Sequence, residues 1–103
     1  MQELDSIKEQ IVSNYQPDKI ILFGSLARGV VHKNSDIDLC VIKDTIDKRK
    51  LQRDISMHVD SNKPFDIIVY TPKEWDDLSL DKSRIAYIVS KEGKTIYDRF
   101  KEA

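Results

Sequence analysis

A single cysteine, Cys40, is the whole thiol inventory of the sequence. It cannot close an internal disulfide, and no Cys or His stands at metal-ligand spacing around it. Redox chemistry and a zinc site are therefore not indicated, and a buried core thiol is expected. Glycine and proline are scarce, with three of each, and no linker, repeat or low-complexity tract is recognisable. No apolar run approaches the roughly 20 residues of a membrane-spanning helix. The amino-terminal MQELDSIKEQ is too polar and acidic for a signal peptide, so a cytoplasmic protein without membrane association is expected. Charge of one sign is also lacking: 17 basic residues face 18 acidic ones, for a net charge of −1. Lys and Arg are spread along the chain, which leaves attraction to a phosphate backbone without a source and disfavours a nucleic-acid substrate.

What is present is the balance of a soluble globular protein, 40% hydrophobic and 34% charged. The 103 residues fit one domain with one core and no substantial second lobe. Any deep cleft must then be completed by another molecule, so an oligomer or hetero-complex is expected.

Leu4, Ile7, Ile11, Val12 and Tyr15 recur at helical spacing and predict an amphipathic helix over 2–14, ended by the stretch from Asn14 to Pro17. Ile20 to Phe23 is apolar on both faces, as in an interior strand, and stops at Gly24. Ser25 to Arg28 reads as the first turn of a helix, capped by Ser25 and stopped early by Gly29. After a loop at 30–35, Asp36 to Ile42 is a second strand with Ile37, Leu39 and Val41 on one face and Asp36 and Asp38 on the other. A helix is expected over 47–59, capped by Thr45 or Asp47, with Leu51, Ile55 and Val59 as its apolar stripe. Its start, Asp47 to Lys50, reads as a solvated charged turn.

Phe65 to Tyr70 is a third strand with Asp66 as its only charge. Thr71 and Pro72 fit a cap and first position for a short helix carrying Trp75 and Leu78. A last helix from about Ser83 to Glu92 is expected to bury Ile85, Ile88 and Val89, with Gly93 as a left-handed stop. Thr95 to Tyr97 fits a short edge strand. The expected fold is α/β (α+β): a central mixed sheet of three to four strands with helices packed on one face. His32 and His58 read as surface residues, and Trp75, Tyr87 and Tyr97 as core or interface aromatics.

Asp36, Asp38 and Asp66 stand where the pattern says sheet. Side chains alternate along a strand, so Asp36 and Asp38 leave the same face with Cα atoms about 6.5–7 Å apart. Grouped carboxylates repel, and a divalent cation between them relieves that repulsion. Oxygen donors without His or Cys point to Mg²⁺ or Mn²⁺. Asp66 also fits the plainer reading of an edge-strand side chain facing water. Upstream, a strand ending in Gly24-Ser25 at a helix opening exposes N–H groups and a hydroxyl to an anion, and Gly24 keeps a side chain out of its way. Metal beside phosphate suits an in-line displacement on a nucleoside triphosphate.

These residues resemble a known family. GSLARG followed by SDIDLCV, with ten residues between Ser25 and Asp36, is similar to the GS-x10-D-x-D signature of the DNA polymerase β-like nucleotidyltransferase superfamily, and within it to the minimal nucleotidyltransferases (MNT). The likeness covers roughly residues 1 to 97. It implies a nucleotidyltransferase fold, with Gly24 and Ser25 binding phosphate and Asp36 and Asp38 as ligands of two Mg²⁺ ions. It makes Asp66 a third ligand and the general base. Arg28 matches the arginine of the family's glycine-serine segment, where it either neutralises phosphate or pins the loop to an acidic neighbour.

The resemblance further implies transfer of AMP from ATP to an acceptor hydroxyl. It points to the antitoxin of a pair whose toxin, a helical HEPN protein, is adenylylated on a tyrosine. Two alternatives stay open: the catalytic subunit of a small-molecule, aminoglycoside-type nucleotidyltransferase, and a non-catalytic module that covers a toxin.

Overall fold

The computed structural model describes residues 2–29 and 36–101. The expectations for His32 and for the loop at 30–35 lie outside these residues. Helix α1 (Gln2–Tyr15) buries Ile7 and Ile11 completely, one turn apart. It ends where Gln16 adopts φ 51° and donates its N–H to the Val12 carbonyl at 3.1 Å, a left-handed stop without glycine. The order continues β1 (Lys19–Phe23), β2 (Ile37–Ile42), α2 (Lys48–His58), β3 (Phe65–Tyr70), α3 (Pro72–Leu78), α4 (Ile85–Glu92) and β4 (Lys94–Asp98).

The four strands form one mixed sheet in the order β3-β2-β1-β4. β1 runs antiparallel to β2 and β4, whereas β2 and β3 are parallel and joined by the α2 crossover. Alternation sorts the side chains onto two faces. Ile20, Leu22, Ile37, Leu39, Val41, Ile67 and Val69 form the main core together with Ile7 and Ile11 of α1 and Leu51 and Ile55 of α2. The expected stripe of α2 is thus buried in full, Val59 included.

The opposite face carries Ile21, Cys40 and Ile42, covered by Val89 of α4 and Trp75 of α3. The two main helices share one face, as the pattern predicts, and a smaller second core closes part of the other. Cys40 is fully buried there, and burial pushes its thiol pKa up to about 12, so it is an inert core residue. Trp75 packs its ring 5.9 Å from that of Tyr70.

Local chemistry fixes the helix starts. Asp47 accepts the Lys50 N–H at 3.1 Å, and Thr71 and Glu74 form a reciprocal capping box ahead of Pro72. In the box, the Glu74 N–H donates to Thr71 Oγ1 at 3.2 Å and the Thr71 N–H to Glu74 Oε1 at 3.0 Å.

Two expectations about the last helix are corrected. It buries Ala86 and Val89, while Ile85 and Ile88 remain 57% and 52% exposed, because only the Ala86–Val89 side meets the sheet. Gly93 is extended, at φ −74° and ψ 160°, and is not a left-handed stop. A Cβ there would overlap the Val89 carbonyl oxygen and come 2.6 Å from Ile21 Cγ2, so glycine serves close approach of the chain to the sheet. Among the described residues, no helix is long and apolar enough to cross a membrane.

Candidate active site

The candidate residues gather at one end of the sheet, where β1 leaves and β2 and β3 begin. Asp38 lies opposite Phe23 in the antiparallel register and opposite Asp66 in the parallel one. Neighbouring strands run about 4.8 Å apart, so Asp38 and Asp66 start from adjacent backbones although 28 positions separate them in sequence. Asp36 precedes β2 by one residue and is exposed, as is Asp66; Asp38 between them is half-buried.

The field of this group is concentrated on Asp38. Its pKa is raised above the ordinary carboxylate value by burial first, then by the charges of Asp66 and Asp36. The plainer reading of Asp66 is correct about exposure, since β3 is an edge strand, yet its position opposite Asp38 brings it into the acidic group. Among the described residues, no three His, Cys, Asp or Glu side chains form a ready metal cage.

Gly24 follows directly on β1 with φ 78°. A Cβ there would overlap Asp38 Oδ2, with Asp38 Cγ 3.2 Å away, so two separate constraints exclude a side chain. The segment that follows is a single turn, stopped early at Gly29 as the sequence suggests, and does not go on into a helix. The Arg28 N–H is shared between the carbonyls of Gly24 at 3.3 Å and Ser25 at 3.2 Å, and Gly29, at φ 79°, ends the turn. Among the described residues, no backbone carbonyl accepts from the N–H groups of Ser25, Leu26 or Ala27. Those groups and the Ser25 hydroxyl are what the turn offers an anion.

Arg28 points its guanidinium at Glu92 of α4, 3.6 Å away, with both side chains about half exposed. It is thus held by an acidic neighbour, and the weakness of exposed pairs leaves it free to exchange that partner for phosphate. Two contributors escaped the sequence reading. Ala27 is buried in the main core and anchors the turn, and Glu92 holds Arg28. Neither contact has a local signature, because both depend on how distant segments meet. His58 is exposed and its Nδ1 lies 2.8 Å from the Asp54 carbonyl, a surface role.

A carboxylate cluster at the head of two parallel strands, beside a glycine-serine turn, is the layout of a metal-dependent phosphoryl or nucleotidyl transfer site. The chain belongs to the nucleotidyltransferase domain family, whose model matches residues 4–94. No curated protein matches it. Among solved structures, it is similar to a putative nucleotidyltransferase from Sulfolobus solfataricus, with 23% identity over 97% of this chain and 81% of that one and a TM-score of 0.68. It is also similar to a toxin-antitoxin structure with AMP-PNP, at 26% identity, covering 91% of this chain and 72% of that one, TM-score 0.57. A mutant of the MntA-HpeT toxin-antitoxin pair aligns at 22% identity over 92% of this chain and 72% of that one, TM-score 0.57.

Proposed function

We propose that this chain, acting as one domain, transfers AMP from ATP to a hydroxyl of a protein partner, the helical HEPN-type toxin of a two-gene pair, and silences it by modifying a tyrosine. The observation that carries the reading is the register of Asp38 opposite Asp66, with Gly24 against the Asp38 carboxylate. The likeness to toxin-antitoxin structures, one of them with AMP-PNP, supports both the nucleotide and the kind of partner.

The donor set fits Mg²⁺, with Mn²⁺ as a substitute: three carboxylates, one of them destabilised in its charged form until a cation adjoins it. Asp36 and Asp38 would hold two ions and Asp66 one of them. When bound, the ions supply charge compensation for the triphosphate. Gly24 admits the phosphates to the turn, and the Ser25 hydroxyl and the N–H groups of residues 25–27 hold them. Arg28 leaves Glu92 to neutralise phosphate charge. Asp66 takes the proton from the acceptor hydroxyl as its oxygen bonds to the α-phosphorus. The bond from that phosphorus to the β-phosphate bridging oxygen breaks, and pyrophosphate leaves.

The test is incubation of the purified protein, Mg²⁺ and α-³²P-labelled ATP with the helical protein encoded beside it. Label is expected on the partner and is expected to vanish with Asp36→Asn plus Asp38→Asn. Label that persists in the double variant overturns the catalytic assignment. Firm binding without label by the wild type favours a covering module instead.

A further inference from the structure

Helix α4 has more apolar surface than the sheet uses. Val89 and Ala86 are buried, yet Ile85 and Ile88, three positions apart and so neighbours on one flank, stand 57% and 52% exposed. Glu92 continues that flank and meets Arg28 of the glycine-serine turn. The helix lies on the sheet face from which Asp38, Cys40 and Ile42 project, since Val89 packs in one cluster with Cys40 and Ile42. An apolar strip therefore runs beside the catalytic carboxylates on the same side of the sheet. Of the other exposed apolar residues, Leu80 lies in the α3–α4 connection, whereas Ile46 precedes α2, Met57 is on α2 and Phe100 follows β4.

Along residues 81–94, α4 and the segments that bound it, the charges in no ion pair are of one kind. The two acids there are already engaged, Asp81 with Arg84 and Glu92 with Arg28. Among the described residues, Lys82, Lys91 and Lys94 are in no ion pair, and Lys91 rests 5.6 Å above the Tyr87 ring. An apolar strip rimmed by free lysines complements an apolar ridge rimmed by carboxylates. We propose that the Ile85–Ile88 flank of α4 is the docking surface for the acceptor protein, which meets it with such an acid-rimmed apolar ridge and so presents its hydroxyl to Asp66. The proposal rests on the reading above that the acceptor belongs to a protein.

The test measures binding apart from transfer, using the Asp38→Asn chain and the helical protein encoded beside it, by titration calorimetry. Adding Ile85→Glu and Ile88→Glu is expected to weaken Kd about tenfold or more. In the wild-type background the same pair leaves Mg-ATP binding and the melting temperature close to their starting values, as befits exposed positions. Lys91→Glu with Lys94→Glu weakens binding as well, and added salt reduces the difference. Ile46→Glu, on a still more exposed apolar residue elsewhere, leaves it unchanged.

Unaltered affinity in the Ile85/Ile88 variant overturns the surface, as does an equal loss with Ile46→Glu or no binding by the starting chain. Sedimentation showing a dimer that these changes dissolve assigns the flank to a second copy and also overturns it. Lost docking in the variant, with no label ever reaching the partner, keeps the surface and removes the transferase reading.

Discussion

Gly24 and Asp38 touch across the end of the sheet. The turn passes so close to the carboxylate that a Cβ on Gly24 would overlap Asp38 Oδ2, and its φ of 78° disfavours any side chain as well. Glycine here joins the glycine-serine turn to the acidic group. Gly24→Ala is therefore expected to cost about 1–3 kcal/mol in chemical denaturation and to abolish ATP binding in the folded fraction. A variant that keeps wild-type stability would show that the contact is not as close as described.

Asp38→Asn separates stability from activity. Burial, then Asp66 and Asp36, raise the Asp38 pKa. A raised folded pKa means stability that is fully present below the ordinary carboxylate range and is lost as pH rises through the raised value. Asn keeps the neutral state at every pH. In EDTA at neutral pH the Asn variant is expected to melt above the wild type, the two curves converging in acid, while transferase activity disappears. A lower melting temperature for the variant at neutral pH would contradict the electrostatic account.

Glu74 behaves in the opposite sense. Its pKa is lowered from the usual value by the hydrogen bond from Lys48 first, then by the Thr71 N–H, and Lys48 Nζ lies 2.6 Å from Glu74 Oε2. A lowered pKa gives stability that is present above the unfolded value and lost as pH falls through the folded one. Glu74→Gln keeps the shape of the capping box but loses the ion pair, at a cost of roughly 0.5 kcal/mol for so exposed a pair. Thermal melts should show that deficit at pH 7 and its progressive loss as pH falls below the ordinary carboxylate range.

Gly93→Ala tests why a glycine follows α4. The backbone there is extended, which alanine adopts freely, but a Cβ would collide with the Val89 carbonyl and Ile21. A loss of about 1–3 kcal/mol is expected from overpacking, with Gly93→Asn at least as harmful. Were Gly93 a left-handed stop, Asn would be tolerated better than Ala, so the order of the two variants in urea melts decides the matter.

The elements themselves were legible because each carries its own period. Ile37, Leu39 and Val41 alternate against Asp38 and Cys40, and Ile7 and Ile11 repeat at one helical turn. The capping pair Thr71 and Glu74 acts within four residues, so it too is readable locally. The glycine-serine step, Asp36 and Asp38 were recognisable by spacing, and Asp66 by being the one charge in an apolar strand. What stayed hidden depends on meetings between distant segments. Periodicity marks Ile85 and Ile88 as apolar but does not say which flank of α4 the sheet will take. Gly93 offers the same letter for two different reasons, conformational freedom and lack of bulk, and the neighbours that choose between them are the Val89 carbonyl at the end of α4 and Ile21 on β1.

The parallel pairing of β2 with β3 also governs when the site comes into being. A hairpin of β1 and β2 needs only its own connecting loop and already sets Gly24 beside Asp38. The third carboxylate arrives only after the chain has travelled through α2 and docked β3 on the outside of the sheet. Closing that crossover is the costlier step in chain entropy. Because β3 is held along one side alone, its fraying removes Asp66 while leaving the glycine turn and the first two aspartates in place. With Asp66 in its proposed role as base, competence for proton removal is tied to the docking of an outermost strand, and amide exchange along β3 would report the fraction of molecules in which that strand is paired.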